Sequence, residues 1–232
     1  MAYTPTVWKN GEFPPIDAEH LNKIEQGIAN SAPGGFGLGL GAKALTSNDD
    51  VNDIAASGWY SWYERSVPKN AINLSWVTIM RVDGHLGGVF VQTAYGVTDA
   101  INYYTQPIVA RRMRYSSAIG EWEYVNPPMK LGVEYRTTER YLGKPVYTKL
   151  LDCGQIADNK QVEHGIVNMR DCIFAQGLRA GMPMPYIYNH NLSDPWSCYI
   201  AAVNDTKITF ACGTSAAGGN CHVILKYTKV TD

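Results

Sequence analysis

A strict alternation of apolar and polar residues near the C-terminal end is the feature that most constrains the fold. The apolar members of two such runs share one strand face each: Ile208, Phe210 and Cys212, then Val223, Leu225 and Tyr227. Side chains two residues apart point to the same side of a β-strand, so each run predicts a half-buried strand. Turn-rich segments separate the strands at intervals of roughly ten residues, which is typical of an antiparallel sandwich. No β-α-β alternation is visible, which disfavours a nucleotide-binding α/β fold.

The middle of the chain also predicts short strands. We expect strands at Gly58–Trp62, Trp76–Val82, Val89–Tyr95, Ile101–Tyr115 and Glu121–Val125. The second and third of these are separated by a glycine-rich loop and predict a hairpin. Two prolines at 127 and 128 cannot continue a strand ladder and are expected to close this unit.

A short helix is predicted for Pro14–Asn30. Asp17 has the position of an N-cap, and Leu21, Ile24 and Ile28 follow at steps of three and four residues. Such a helix is marginal alone in water, and its apolar seam is too narrow for a core within one chain. We therefore expect seams from neighbouring chains to pack together. The alternative is that the helix docks on its own domain.

The predicted organisation is an N-terminal arm and helix at 1–33, a β domain at 34–128, a linker at 129–145 and a β-sandwich at 146–232. The fold class is mainly β, with a short N-terminal helix of trimeric coiled-coil type before two small antiparallel domains. The second domain opens with GGFGLGLG, whose alternating glycines match neither a dinucleotide fingerprint nor a phosphate loop.

Charge and hydropathy exclude several classes of partner. The net charge is −1, from 20 basic and 21 acidic residues, so nothing favours nucleic acid or an anionic membrane as partner. No signal peptide and no apolar run near the ~20 residues of a membrane-spanning helix is visible. We expect a protein made in the cytoplasm and not secreted.

All five cysteines lie in the last third of the chain, at 153, 172, 198, 212 and 221. Their odd number and the lack of a CxxC motif disfavour both a disulfide framework and a zinc ribbon. Cys212 and Cys221 flank a glycine-rich turn and are candidates to face each other on a hairpin. Reduced thiols are expected in view of the cytosolic origin.

Several stretches, in order along the chain, resemble proteins of bacteriophage tails. The N-terminal segment TPTVWKNGEFPPIDAEHLNKIEQGIANS is similar to one shared by many tail structural proteins. GFGLG, DDVNDIAASGWYSW, VFVQTAY and ARRMRYSSAIGEWEYV together resemble the knob domain of phage and pyocin tail fibres. GKPVYTKLLDCG, VEHGI and HVILKYTKVTD are similar to C-terminal domains of phage receptor-binding proteins.

This resemblance implies a homotrimeric tail fibre or receptor-binding protein in the virion tail. The N-terminal segment would attach to tail or baseplate proteins, the knob would act as a shoulder, and the C-terminal head would contact the host. The implied ligand is a bacterial cell-surface saccharide, such as a wall teichoic acid or polysaccharide. A purely structural tail-tip or spacer protein without a ligand is the alternative.

Residues suited to saccharide contact are concentrated in PYIYNHNLSDPWSCY. Aromatic rings stack on apolar sugar faces, and planar polar groups bond hydroxyls. The candidates are Tyr186, Tyr188, Asn189, His190, Asn191, Asp194 and Trp196. The alternative is that the aromatic residues fill the core or a subunit interface. The middle domain offers a second aromatic set, for which core packing is the favoured interpretation. Its members are Trp59, Tyr60, Trp62, Tyr103, Tyr104 and the Arg111-Arg112 pair.

Little in the sequence indicates catalysis or a cofactor, and we expect no enzyme activity. A polysaccharide depolymerase needs two carboxylates ~5–9 Å apart, and the sequence does not pair Glu121, Glu123, Asp152, Glu163 or Asp171. His164 is a weak candidate for a metal or anion ligand on a threefold axis. The alternative is a hydrogen-bonded structural histidine.

Overall fold

The alternating runs form strands in the computed structural model, and the protein is mainly β. The structure describes residues 21–24, 42–85, 88–97, 107–185, 197–215 and 218–231. The chain divides into two compact units. The first comprises Met1–Pro107 and Arg111–Glu121, and the second comprises Ile108–Ala110 and Trp122–Asp232.

The first unit is built on a β-meander. Its strands are β1 (Lys43–Ala44), β2 (Gly58–Tyr63), β3 (Val77–His85), β4 (Val89–Val97), β5 (Ile108–Tyr115) and β6 (Ala118–Ile119). They lie in the order β1-β2-β3-β4-β5, with β6 paired to β5. The first three residues of β5 belong to the second unit. The predicted hairpin is confirmed, since β3 and β4 pair without a register shift from Val77↔Val97 to His85↔Val89.

The described residues of the second unit after Trp122 form strands β7 to β15, in two sheets. They are β7 (Glu123–Tyr124), β8 (Glu134–Tyr141), β9 (Lys144–Gln155), β10 (Gln161–Glu163), β11 (Met169–Arg179), β12 (Met182–Met184), β13 (Cys198–Val203), β14 (Lys207–Cys212) and β15 (Asn220–Lys229). The larger sheet has the order β7-β8-β9-β15-β11-β12, and the smaller has the order β10-β14-β13.

One hydrophobic core joins the two sheets of the second unit. The smaller sheet contributes Ile208, Phe210 and Cys212 from β14. The larger sheet contributes Val223, Leu225 and Tyr227 from β15. All six are buried, as their alternation predicted. Two sheets that bury one face each against a shared core confirm the predicted sandwich.

The segment predicted as a linker carries regular structure. The segment predicted as a linker, 129–145, contains β8, which pairs with both β7 and β9. The apolar signal of this strand is weak because its inward positions include Tyr135 and Thr137. Thr137 is buried because its hydroxyl donates to the carbonyl oxygen of Val146 at 2.8 Å, so a polar residue occupies a core-facing position.

The predicted opposition of Cys212 and Cys221 is wrong. Cys212 pairs with Cys198 across β13 and β14, whereas Cys221 pairs with Gly154 across β9 and β15. The glycine-rich turn therefore does not close a hairpin. It connects strands of different sheets, a crossover that spacing in the sequence does not distinguish from a hairpin.

Candidate functional site

The predicted saccharide residues lie outside the described part of the chain. Tyr186, Tyr188, Asn189, His190, Asn191, Asp194 and Trp196 all fall between Pro185 and Ser197. The described residues on either side belong to or adjoin β12 and β13. The saccharide site at these positions stays a prediction.

The predicted trimer seam is described in part. Residues 21–24 are helical, in agreement with the predicted helix. Leu21 is half exposed, and Ile24 is partly buried. Ile28 lies outside the described residues. The association of copies through this seam stays a prediction.

An apolar depression lies on the outer face of the larger sheet in the second unit. It has a volume of about 440 Å³. The strand register builds it, because Ile224 of β15 pairs with Leu150 of β9 on one side and with Gln176 of β11 on the other. The next outward residue of β15, His222, pairs with Leu178 of β11. Val223, between His222 and Ile224, and Leu225, directly after Ile224, point into the core.

Apolar side chains at the rim of the depression are unusually exposed. Leu131 and Leu178 are 51% and 48% exposed, and Leu131 bridges to Leu150. The lining is apolar apart from His222 and Gln176. Such a surface suits contact with another apolar surface, with few polar groups to orient a hydroxyl-rich ligand.

Sequence reasoning missed this depression, although a signal for it exists. Leu150-Leu151 and Val223-Ile224-Leu225 are consecutive apolar residues on neighbouring strands. In a strand with one wet face, adjacent positions alternate in polarity, so consecutive apolar residues indicate that both faces of the sheet are apolar.

A cluster of charged and aromatic groups includes two tyrosines of the second unit's core, Tyr147 and Tyr227. Tyr227 and Lys229 both donate to the carboxylate of Glu134. The rings of Tyr147 and Tyr227 stack with centroids 6.0 Å apart, and the Lys229 ammonium lies 4.7 Å from the Tyr147 centroid. Burial, and then the bond to Glu134, raise the pKa of Tyr227. The Tyr227 phenol therefore stays protonated, and both carboxylate oxygens of Glu134 accept hydrogen bonds within the chain.

Three of the carboxylates considered for depolymerase activity hold partners within the chain. Glu123 pairs with Arg136 at 3.1 Å and with Arg140 at 2.7 Å. Asp152 accepts from the backbone N–H of Gly154 at 2.8 Å. Asp171 accepts from the hydroxyl of Thr228 at 3.2 Å. These contacts give each carboxylate a role in holding strands and turns.

His164 is a buried residue with both ring nitrogens in intrachain hydrogen bonds. It is 1% exposed. Its Nε2 lies 3.0 Å from the carbonyl oxygen of Asn204, and its Nδ1 accepts from the backbone N–H of Ile166 at 3.1 Å. This pattern requires the Nε2–H tautomer. The geometry matches the structural interpretation of His164, which leaves no ring nitrogen for an axial ligand.

A polar network fastens the Asp49–Asp53 loop to the sheet of the first unit. The buried guanidinium of Arg112 donates to Gln92 Oε1 and to Asn52 Oδ1, both at 2.7 Å. Gln92 in turn donates to the carbonyl oxygen of Val51 at 2.8 Å. Burial is the main cause that lowers the pKa of Arg112, to about 10. The guanidinium still carries its charge at neutral pH and acts as the anchor of the loop.

The same loop borders a second depression of about 410 Å³. Its lining is mixed, with carboxylates at Asp49, Asp50 and Asp53 and an aromatic ring at Tyr60. Tyr60 and Trp62 are buried, which confirms core packing for these two members of the middle aromatic set. Tyr103 and Tyr104 lie outside the described residues.

Within the described ranges, no group of three or more His, Cys, Asp or Glu side chains has a geometry that could hold a metal ion. In the same part of the chain, no helix has the length and apolarity needed to cross a membrane.

Asp50 predicts a pH dependence of stability. Asn70 donates to both of its carboxylate oxygens and the Asn52 N–H donates to one. These bonds, with the Asn70 side chain the larger cause, lower its pKa below 3.8. A carboxyl whose folded pKa is depressed stabilises the fold above its unfolded pKa and loses this contribution as pH falls through the folded pKa.

We therefore expect the stability difference between wild type and Asp50→Asn to be larger near about pH 6 than near about pH 2. Urea unfolding of both proteins at the two pH values measures it. Asp53→Asn makes the same charge change in the same loop and serves as the control. An equal difference at both pH values would contradict the role of Asp50.

His164→Leu tests the structural role of the histidine. The substitution leaves the buried Ile166 N–H and the Asn204 carbonyl without their partner, so we expect a loss of about 2–4 kcal/mol in the free energy of unfolding. Chemical denaturation measures the loss. A metal chelator should leave the wild-type unfolding midpoint unchanged, and a chelator-induced fall that His164→Leu abolishes would favour the metal interpretation.

No protein-family model and no curated protein matches the chain. Solved structures that match are pyocin tail fibres. An N-truncated R2-type pyocin tail fibre matches at 11% identity and a TM-score of 0.26, over 79% of this chain and 96% of that one. An R1 pyocin fibre of P. aeruginosa, comprising C-terminal residues, matches at 10% identity and a TM-score of 0.28, over 79% and 66%. The corresponding R2 fibre of P. aeruginosa matches at 10% identity and a TM-score of 0.30, over 83% and 68%.

Proposed function

We propose that the protein is a trimeric phage tail fibre or receptor-binding protein that attaches the virion to a bacterial cell-surface saccharide. The N-terminal segment joins tail or baseplate proteins, and the second unit forms the head that contacts the host. The order of the tail-protein stretches along the sequence supports this proposal. The succession of two β units, the second of them a sandwich, is compatible with it.

The observation that carries the proposal is the apolar character of both faces of the larger sheet in the second unit. The inner face packs into the core, whereas the outer face carries Leu131, Leu150, Leu178 and Ile224. Contiguous apolar surface on a protein in water marks an interaction site. This face is suited to assembly, because it has few polar groups to orient a small ligand.

The proposed occupant of this face is another copy of the same chain. The seam that begins with Leu21 and Ile24 independently predicts that copies associate, and Leu21 is half exposed in the single chain. A homotrimer accounts for both apolar surfaces with one assembly. A closed symmetric oligomer also buries both surfaces, so that the assembly does not extend into a filament.

Saccharide attachment in this proposal depends on the 186–196 segment and on multivalency. Single aromatic–sugar sites are weak, but three linked sites in a trimer bind with higher avidity when they engage one surface together. Several trimers in one virion extend the same effect. The proposed attachment requires no bond cleavage, which accords with the structural partners of Glu123, Asp152 and Asp171.

The oligomeric state is the first test. We expect size exclusion with light scattering to give a mass near three times 25.6 kDa. Leu178→Glu places a charge on the outer apolar face and should weaken the assembly, because burying an unpaired carboxylate is costly. Val167→Glu, at an exposed position outside the depression, is the matched control and should leave the mass unchanged. A wild-type monomer that is stable on dilution would contradict the trimer.

Binding to purified wall teichoic acids and capsular polysaccharides is the second test. We expect the trimer to bind one of them, and Tyr188→Ala or Trp196→Ala to weaken binding by roughly tenfold through lost stacking, which corresponds to ~1.4 kcal/mol. Tyr141→Ala, an exposed tyrosine of β8, is the control. A trimer that binds no saccharide and does not block phage adsorption would favour the spacer function. Release of shortened saccharide would instead indicate a depolymerase.

A further inference from the structure

All five cysteines lie in or against one hydrophobic core, and four of them form two pairs on two sheets. Cys198 and Cys212 occupy β13 and β14 of the smaller sheet. Cys153 and Cys221 occupy β9 and β15 of the larger sheet. All five cysteines are free thiols in the structure.

Backbone geometry places Cys198 and Cys212 at a position that a disulfide can bridge. They are direct partners in the antiparallel register. The N–H of Gly213 donates to the carbonyl oxygen of Ser197 at 2.9 Å, which makes Ser197 and Gly213 a hydrogen-bonded pair. Pairs alternate along an antiparallel ladder, so the adjacent Cys198–Cys212 pair is non-hydrogen-bonded, with Cα atoms ~4.5 Å apart. Disulfides span Cα distances of about 4.4–6.8 Å.

We propose that Cys198 and Cys212 are a disulfide-forming site, reduced when the chain is made and oxidised to a cross-strand bond by a low-molecular-weight disulfide outside the reducing compartment. The oxidant class is represented by oxidised glutathione. The inference is independent of the proposed function, since it concerns only the chemistry of the second unit.

The reaction balances as two successive exchanges. The Cys198 thiolate attacks oxidised glutathione, which forms a mixed disulfide and releases one glutathione thiolate. The Cys212 thiolate then attacks the Cys198 sulfur, which forms the protein disulfide and releases the second glutathione thiolate. The two protein thiols lose two electrons and two protons, and two reduced glutathione molecules take them up.

Exposure assigns the first step to Cys198. Cys198 is half buried at the start of β13, whereas Cys212 is 3% exposed. Burial raises the pKa of Cys198 to about 12, and the nearby Arg179 guanidinium acts against this rise. Since the thiolate is the attacking species, the exchange is slow at neutral pH.

The second cysteine pair is a natural contrast within the same core. Cys153 and Cys221 are 3% and 0% exposed. Cys221 has Gly154 as its direct partner, and Cys153 lies at a register shift between β9 and β15. A mixed disulfide at either residue would have to fit glutathione inside the core. We therefore expect this pair to stay reduced in the folded protein.

The bond would close a loop that begins two residues after Trp196. It would join the two ends of the β13–β14 hairpin, from Cys198 to Cys212. A cross-link removes conformational freedom from the unfolded chain, and one that closes a loop of this length should raise the midpoint of thermal unfolding by roughly 6–12 °C.

The test is incubation of the whole purified protein with oxidised glutathione, followed by acid quenching, alkylation and peptide mapping without reduction. We expect a cross-linked peptide that joins Cys198 to Cys212, loss of two hydrogens from the intact mass, and alkylation of Cys153 and Cys221 after denaturation. The rise in unfolding midpoint should be reversed by a reductant.

Cys198→Ser should abolish the cross-link and the rise in midpoint, and its half-buried position makes it the variant of choice for folding. Cys172→Ser, which removes the cysteine outside both pairs, is the matched control and should retain both effects. A Cys198 found only as a stable mixed disulfide, or a cross-link to Cys153, Cys172 or Cys221, would overturn the proposal. So would complete alkylation of Cys198 and Cys212 after incubation long enough to modify Cys172.

Discussion

Burial of the alternating apolar faces of β14 and β15 against each other is the interaction on which the second unit depends. Phe210 of the smaller sheet and Leu225 of the larger sheet are completely buried in the same core. Complete burial of such side chains contributes about 1.5–3 kcal/mol each. The two strands lie in different sheets, so this core fixes how the sheets pack and which face of each is left outside.

The outer face of the larger sheet follows from this packing. With Val223 and Leu225 directed inwards, Ile224 must point outwards, because neighbouring side chains of a strand alternate. In the strand register, Leu150 of β9 pairs with Ile224. Leu178 of β11 pairs with His222, the next outward residue of β15. The exposed apolar face thus arises because the core takes Val223 and Leu225 from an apolar run and leaves Ile224 on the outside.

The same packing gives the cysteines their different properties. Cys153 and Cys221 are on strands of the larger sheet and are buried in the core. Cys198 lies at the beginning of β13 and is half buried. Their spacing in the sequence favoured Cys212 and Cys221 as neighbours. The crossover from β14 to β15 places them in different sheets, and the pairing of β13 with β14 places Cys198 opposite Cys212. Which thiols can react with each other in this chain therefore depends on which strands pair.

By itself, the sequence determined the strands whose periodicity is strong, including the β3–β4 hairpin and the inward residues of β14 and β15. It did not reveal β8, where Thr137 is buried through a hydrogen bond, or the pairing of Cys198 with Cys212. Periodicity reports which side of one strand is apolar. Only the tertiary structure decides which strand lies opposite, because that choice depends on contacts between residues far apart in the chain. The outer apolar face, the partners of His164 and the cysteine pairs all depend on that choice.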